Sequence, residues 1–317
     1  MFETLKEYSY ITYNITYNIT YTQGGLIKMK DEIINTKQLL EEYIEYIQDD
    51  TKVKKTPLGF SKLDNLLNGG IPRGLITLGA IPSLGKTTFM LQVADNIASL
   101  ENTKVLLFSL EMSRFDLISK SLSRLTFQDE NLQQFTCDEL MSNDETIDYN
   151  SILQRYEPIA NNLYSIDYIY DIRDIKAFIT QFRECNPNDN IIVIIDYLQY
   201  ILNEKNSNDK QAIDMITKSL KELSKSLEIT IVAISSLNRA NYSGNITMES
   251  FKESGSIEYT SDVLIGLEYT NSNGNDRDYE ARKNPRKITL SIIKNRYGAL
   301  GKVNFDFNTK YNTFIEK

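Results

Sequence analysis

Short apolar runs recur along most of this chain, and the segments between them repeat their apolar positions every three or four residues. The runs at 75–80, 104–110, 191–196, 229–235, 262–268 and 287–293 predict strands. Several are apolar at every position, as strands covered on both faces must be. The segments 87–100, 114–126, 172–184 and 209–227 carry the helical period. This alternation predicts an α/β fold in which a mostly parallel, twisted sheet is flanked by helices. Ahead of it, residues 30–48 read as a helix with Ile33, Leu40, Tyr43, Ile44 and Ile47 near one face. Asp49 to Thr56 is polar and reads as a linker that ends at Pro57, and Asn271 to Pro285 is a polar excursion expected to be a surface loop. The expected organisation is therefore 1–29 outside the fold, 30–55 as a short helix and linker, and 56–317 as one α/β domain.

The first residues break the pattern. ITYNITYNITYT repeats the unit YNIT with no turn or partner strand after it. Gly24-Gly25 lies just before Met29, a spacing that suits an untranslated leader with a purine-rich ribosome-binding site read as protein. Residues 1–28 are read as such a leader; the alternative is a genuine but unordered N-terminal arm.

Composition narrows the chemistry. The 317 residues are 41% hydrophobic and 25% charged, with no apolar stretch long enough for a membrane span and no signal peptide at the start. Histidine is absent, so an imidazole base or zinc ligand is excluded, and the two cysteines, Cys137 and Cys185, fit no metal spacing. A reducing cytoplasm is the simplest setting. The net charge of −8 argues against a broad basic face, but a few loop contacts to nucleic acid stay compatible with it.

The strongest chemical signal is LITLGAIPSLGKTT, Leu75 to Thr88. An apolar strand enters a tight loop, Ala80-Ile81-Pro82-Ser83-Leu84-Gly85, and a helix opens at Lys86-Thr87-Thr88. That is the context of a phosphate-binding loop, in which backbone N–H groups face the phosphates. Lys86 is placed to reach the outer phosphates and the Thr87 hydroxyl to ligate Mg²⁺, so ATP and Mg²⁺ are the expected cofactors. Ala80 stands where the usual pattern has its first glycine, and the glycine sits one place earlier, at Gly79. Asp196 ends the strand IIVIID, where ligands gather in open α/β sheets, and reads as the aspartate that holds Mg²⁺. Glu111, after KVLLFSL, is then the natural base or orienter for an attacking water. Ser113 to Asp116 behind it resembles a capping box that starts a helix.

In order along the chain, TPLGFSKLDNLLNGGIP, GAIPSLGKTT, FSLEMSRFDL, IIDYLQY, AISSLNR, KESGSIEYTSDV and IIKNRYGALGKV resemble the motifs of DnaB-type replicative helicases over residues 56–317. The resemblance implies a RecA-like core, a homo-hexameric ring around single-stranded DNA, and ATP-driven 5′–3′ movement. It implies that Lys294 and Arg296 reach the neighbouring subunit's nucleotide, that Lys252, Glu253 and Gly255 belong to a loop on the DNA backbone, and that Lys205 and Lys210 belong to a second such loop. Ser236 replaces the Gln that the family uses to sense the γ-phosphate, which puts coupling to DNA in question. The family's large N-terminal helical domain has no counterpart here, so a primase or helicase loader as partner is unsupported by these residues. A ring-forming ATPase that assists a full-length helicase, without robust unwinding of its own, is the competing reading.

Overall fold

Six successive strands that run the same way need a crossover between each pair, and the helical segments of this sequence supply them. A computed structural model describes residues 35–48, 55–142, 144–201, 209–237, 246–251, 255–270 and 277–317. The chain divides into two compact units, residues 1–53 and 54–317. In the first, the described part is the helix α1 (Thr36–Gln48), whose Leu40, Tyr43, Ile44 and Ile47 are exposed. The leader reading of residues 1–28 lies outside the described residues.

The second unit runs β1 (Lys55–Thr56), α2 (Ser61–Leu66), β2 (Ile71–Pro72), β3 (Gly74–Ala80), α3 (Lys86–Ala98), β4 (Thr103–Ser109), α4 (Arg114–Gln128), α5 (Cys137–Leu140), α6 (Tyr149–Ala160) and β5 (Leu163–Ile166). It continues with α7 (Ile172–Cys185), β6 (Asn190–Asp196), α8 (Asp209–Ser226), β7 (Thr230–Ser236), α9 (Gly255–Thr260), β8 (Val263–Tyr269), α10 (Arg277–Ala281), β9 (Arg286–Asn295), β10 (Gly301–Asn308) and β11 (Thr313–Glu316). Among the described residues a nine-stranded sheet has the order β11-β10-β9-β8-β3-β7-β6-β4-β5. Strands β8 to β5 in that order are parallel, and β9, β10 and β11 extend the sheet as an antiparallel meander.

The period of two along each strand divides the core into two layers. Ile192 and Ile194 of β6 face the layer of α3, where Phe89, Leu91 and Val93 pack. Ile191, Val193 and Ile195 face the layer of α7 and α8, with Ile175, Ile179, Ile216 and Leu220. Both faces are covered, which is why the strand is apolar at nearly every position. The C-terminal hairpin adds a ring cluster to the first layer. Phe307 stacks on Phe314 at 4.2 Å, and Phe89 meets Phe305 and Phe314 edge-on at 5.7 and 5.2 Å.

The motif before β3 proves to be a capping device. The Asp64 carboxylate accepts the N–H groups of Leu58, Gly59 and Phe60, and Glu316 accepts those of Lys62 and Leu63 at the start of α2. The last residues of the chain are thereby tied to the first turn of α2. Within the expected surface loop, residues 277–281 form α10. β5, α6, β10 and β11 lie outside the elements read from the pattern; α6 carries Pro158, and β5 is half-exposed and short.

Candidate active site

The phosphate-binding loop is shaped by its anchors. Ala80 is the last residue of β3, and Leu84 is fully buried, so Ile81, Pro82 and Ser83 arch between two fixed points with Pro82 and Ser83 exposed. Ser83 and Gly85 take left-handed backbone with φ of 65° and 89°. A side chain at 85 is excluded twice over, since its Cβ would lie 2.7 Å from Phe307 Cε1 as well as at that φ. Gly79 is a packing glycine, with Phe251 Cε1 2.4 Å from where a Cβ would stand. The early glycine noted in the sequence therefore serves the core and not the loop. Helix α3 starts on Gly85, so the N–H groups of Lys86, Thr87 and Thr88 belong to its first turn, which has no intrahelical acceptors for them.

The other site residues converge on this turn. Register pairs Ser109 with Asp196, and the Leu110 N–H donates to the Asp196 carbonyl at 2.7 Å, which carries β4 past its end and brings Glu111 to the site. Glu111 stands two residues beyond the strand and is exposed. The Thr87 hydroxyl donates to Asp196 Oδ2 at 2.5 Å. Asp196 Oδ1 is buried with no hydrogen-bond partner among the described residues, a spare acceptor that a cation could take. Burial pushes the Asp196 carboxyl up to about 6; the Thr87 bond and Lys86 oppose that rise and Glu111 adds to it. The Lys86 ammonium is lowered by burial, against the pull of Asp196 and Glu111, and it donates to the Ala80 carbonyl at 3.3 Å. Among the described residues no cluster of three or more acidic or Cys side chains could cage a metal alone. The donor set, one hydroxyl and one carboxylate beside a phosphate loop, fits Mg²⁺ held jointly with phosphate oxygens.

At position 236 the structure adds an amide from elsewhere. Ser236 is in register with Ala80, and its N–H donates to Gln199 Oε1 at 3.4 Å, while Gln199 Nε2 donates to the Ser235 hydroxyl at 3.2 Å. Gln199, in the turn that follows β6, thus ties that turn to the end of β7.

Lys294 and Arg296 do not join the loop. Asn295 pairs with Val263, Val263 with Ile76, and Ala80 is four residues further on. At about 3.3 Å per residue the backbone of Lys294 lies roughly 10 Å, and that of Asn295 next to Arg296 roughly 13 Å, down the strands from Ala80. Lys294 lies within β9, beyond the strand end read from the sequence, because β9 runs to Asn295 through an irregularity opposite Leu264 and Ile265. The two side chains do share a direction: Lys294 Nζ donates to the Glu258 carbonyl at 2.7 Å and Arg296 Nη2 to the Tyr259 carbonyl at 2.9 Å. Of the expected DNA contacts, Lys205, Lys252 and Glu253 lie outside the described residues. Lys210 is exposed in the first turn of α8 and Gly255 opens α9. The Ser256 N–H donates to Asp214 Oδ1 at 3.3 Å, so the chain bordering both expected loops is joined.

Residues 56–316 match the family described as DnaB-like helicase C terminal domain. The chain belongs to this family. Replicative DNA helicase DnaB of Geobacillus stearothermophilus is 30% identical over 303 residues, covering 92% of this chain and 62% of the relative. Replicative DNA helicase DnaC of Bacillus subtilis is 28% identical over 296 residues, with 90% and 61% covered. The chain thus spans about three fifths of the length of these curated relatives. A solved structure described as an ATPase domain has a TM-score of 0.75 at 25% identity, over 90% of this chain and 100% of that one. A DnaB-like replicative helicase, described with its interactions with primase, has a TM-score of 0.72 at 25% identity, over 90% of this chain and 67% of that one. The fold is accordingly the RecA-like fold of DnaB-type ATPase domains.

Two residues beside this site have no role assigned from the sequence. Arg286, at the start of β9, donates from Nη1 to the Ser83 carbonyl at 2.9 Å, and its buried Nε has no partner among the described residues. Tyr197 lies with its ring 6.0 Å from Lys86 Nζ. Arg286 is 203 residues away in sequence from the loop residue it holds, and only the path of β9 reveals it.

Proposed function

We propose that this chain is the motor of a DnaB-type replicative helicase: it hydrolyses ATP at the interfaces of a homo-hexameric ring and moves on single-stranded DNA. In this reading the α3 N-terminus and Lys86 hold the phosphates, Thr87 and Asp196 present the Mg²⁺, and Glu111 takes the proton of the attacking water. Thr87 and Asp196 would hold Mg²⁺, which would supply charge neutralisation for the phosphates. Lys294 and Arg296 serve the neighbouring copy's nucleotide, and the chain around 202–210 and 252–255 meets the DNA backbone.

The observation that carries the reading is the division of the machinery. A buried carboxylate with a spare acceptor stands beside the phosphate loop, while the half-exposed Arg296 follows a strand whose register puts its backbone about 13 Å down the sheet from Ala80, toward the opposite end from its own loop. A complete site then requires a second copy. The family matches support the helicase part of this reading, through relatives named replicative DNA helicases that this chain matches over only part of their length; the ring is this reading's own step.

The test is a pair of variants in the full chain. Lys86→Ala abolishes nucleotide binding and turnover together. Glu111→Gln keeps binding of a fluorescent ATP analogue and stops turnover, because the amide keeps the shape but takes no proton. Equal loss of binding in Glu111→Gln would remove the assigned role. Ser236 favours the second reading, an ATPase that assists another helicase; a ring by light scattering whose hydrolysis ignores single-stranded DNA would support that reading instead.

A further inference from the structure

The far end of β3 holds a second cluster of charge. Asp262, just before β8, has a fully buried carboxylate shared by two cations. Its Oδ2 accepts Lys221 Nζ at 2.5 Å and the Leu75 N–H at 2.9 Å. Its Oδ1 accepts Arg296 Nη1 at 3.3 Å. The backbone fixes Asp262 from both sides as well: its N–H donates to the Leu75 carbonyl at 2.7 Å, and its carbonyl accepts the Arg296 N–H at 3.0 Å. Gly74 is the residue that leaves room, because a Cβ there would lie 2.3 Å from Asp262 Oδ2. The strand is built around this carboxylate.

The geometry of the guanidinium is the informative part. Arg296 spends one N–H on Asp262 and one on the Tyr259 carbonyl, and its side chain is 48% exposed. A guanidinium has five N–H donors in a rigid fork, so among the described residues three are left without a side-chain or carbonyl acceptor. Lys294 donates to the Glu258 carbonyl next to the Tyr259 carbonyl that Arg296 uses, so a second cation stands beside Arg296 for an arriving anion.

We propose that Asp262 is the positioning residue for Arg296: it fixes one edge of the guanidinium, with the Tyr259 carbonyl, so that the free edge meets the neighbouring copy's phosphates in one orientation. The proposal rests on the reading that Arg296 acts across the interface. Its physical content is preorganisation. A charged group held before the phosphate arrives loses no orientation when charge develops, whereas a free arginine must give up its rotamers at that moment.

The experiment is steady-state hydrolysis in rings of mixed full-length subunits shown to exchange. Asp262→Asn should lower kcat by about 10- to 100-fold, the scale of a misplaced catalytic group, and leave KM for ATP within about threefold. Mixed with Glu111→Gln subunits it should recover turnover, because interfaces then form with an intact phosphate loop on one side and an intact Arg296 on the other. Mixed with Arg296→Ala it should gain no turnover, both defects lying on the same side. Asp262→Asn that stays dead with Glu111→Gln, while Arg296→Ala is rescued by it, would place the damage in the phosphate loop and overturn the proposal. Failure of Arg296→Ala to be rescued would instead overturn the reading beneath it. Lys221→Met separates stability from positioning, since it removes the cation on the other carboxylate oxygen. It should melt at lower temperature and turn over within about threefold of wild type; a loss as deep as that of Asp262→Asn would make the network structural. Where Asp262→Asn alone does not form rings, Lys221→Met/Asp262→Asn, which removes the buried pair together, carries the same test.

Discussion

Replacing Asp196 by Asn removes a charge that the fold holds against the preference of its surroundings. The carboxyl is 1% exposed, and burial pushes it up to about 6 from an ordinary 3.8. Above pH 6 the group is ionised in both the folded and the unfolded chain, and the folded state bears the whole cost. Below 3.8 it is protonated in both and the cost is gone, so the penalty grows as pH rises between the two values. A proton held about a hundredfold more tightly corresponds to about 3 kcal/mol. The amide keeps the acceptor for Thr87 but turns an N–H₂ toward the empty side, which costs about 1 kcal/mol. Asp196→Asn should therefore be more stable than wild type by about 2 kcal/mol at pH 8, or about 4–8 °C in Tm for a domain of this size. At pH 5 the charge contribution falls to about half, and the advantage shrinks to under about 1 kcal/mol. The assay is thermal unfolding of nucleotide-free protein in EDTA at the two pH values, beside Mg²⁺-dependent nucleotide binding, which the variant loses. A Tm unchanged or lowered at pH 8, or a gain equal at both pH values, would refute the account of this carboxylate.

Other perturbations test separate parts. Arg286→Ala removes the hydrogen bond that holds the Ser83 carbonyl, a contact of about 1.5–3 kcal/mol, and should weaken ATP and ADP alike by about tenfold or more in calorimetric titration; unchanged affinity would show that the loop holds itself. Arg124 is 2% exposed and pairs with Asp95, which also accepts from the Tyr156 hydroxyl, so Arg124→Met should cost about 3–5 kcal/mol in chemical denaturation, and a loss under about 1 kcal/mol would contradict the network. Ser236→Gln should increase the stimulation of hydrolysis by single-stranded DNA, since a serine hydroxyl is too short to span from phosphate to a DNA loop without a bridging water. Strong stimulation in wild type that is lost in Ser236→Gln would route the coupling through another group.

Much of the fold is legible because strands buried on both faces must be apolar throughout. Ile191 to Ile195 could be nothing else, and the six apolar runs all became strands. Edge elements escape the same reasoning. β5 alternates weakly at the sheet margin, and β10 and β11 resemble any alternating segment until Phe305, Phe307 and Phe314 are seen packed around Phe89. The phosphate loop was readable from local order alone, because strand, loop and helix are consecutive and the chemistry needs them so.

What the sequence determined, then, is local: the period of each element, the loop Ala80 to Thr88, and the carboxylate that ends β6. What only the tertiary structure decided depends on residues far apart in the chain. The bond from Thr87 to Asp196 spans 109 positions, and the one from Arg286 to Ser83 spans 203. Gly79 looked like a displaced loop glycine and turned out to make room for Phe251, which no spacing rule could foresee. The pairing of Asp262 with Lys221 and Arg296 likewise follows from strand register, since Val263 lies beside Ile76 on one side and Asn295 on the other. Register fixes which side chains meet, and it is a property of the assembled sheet, set by which faces are buried and not by any one strand.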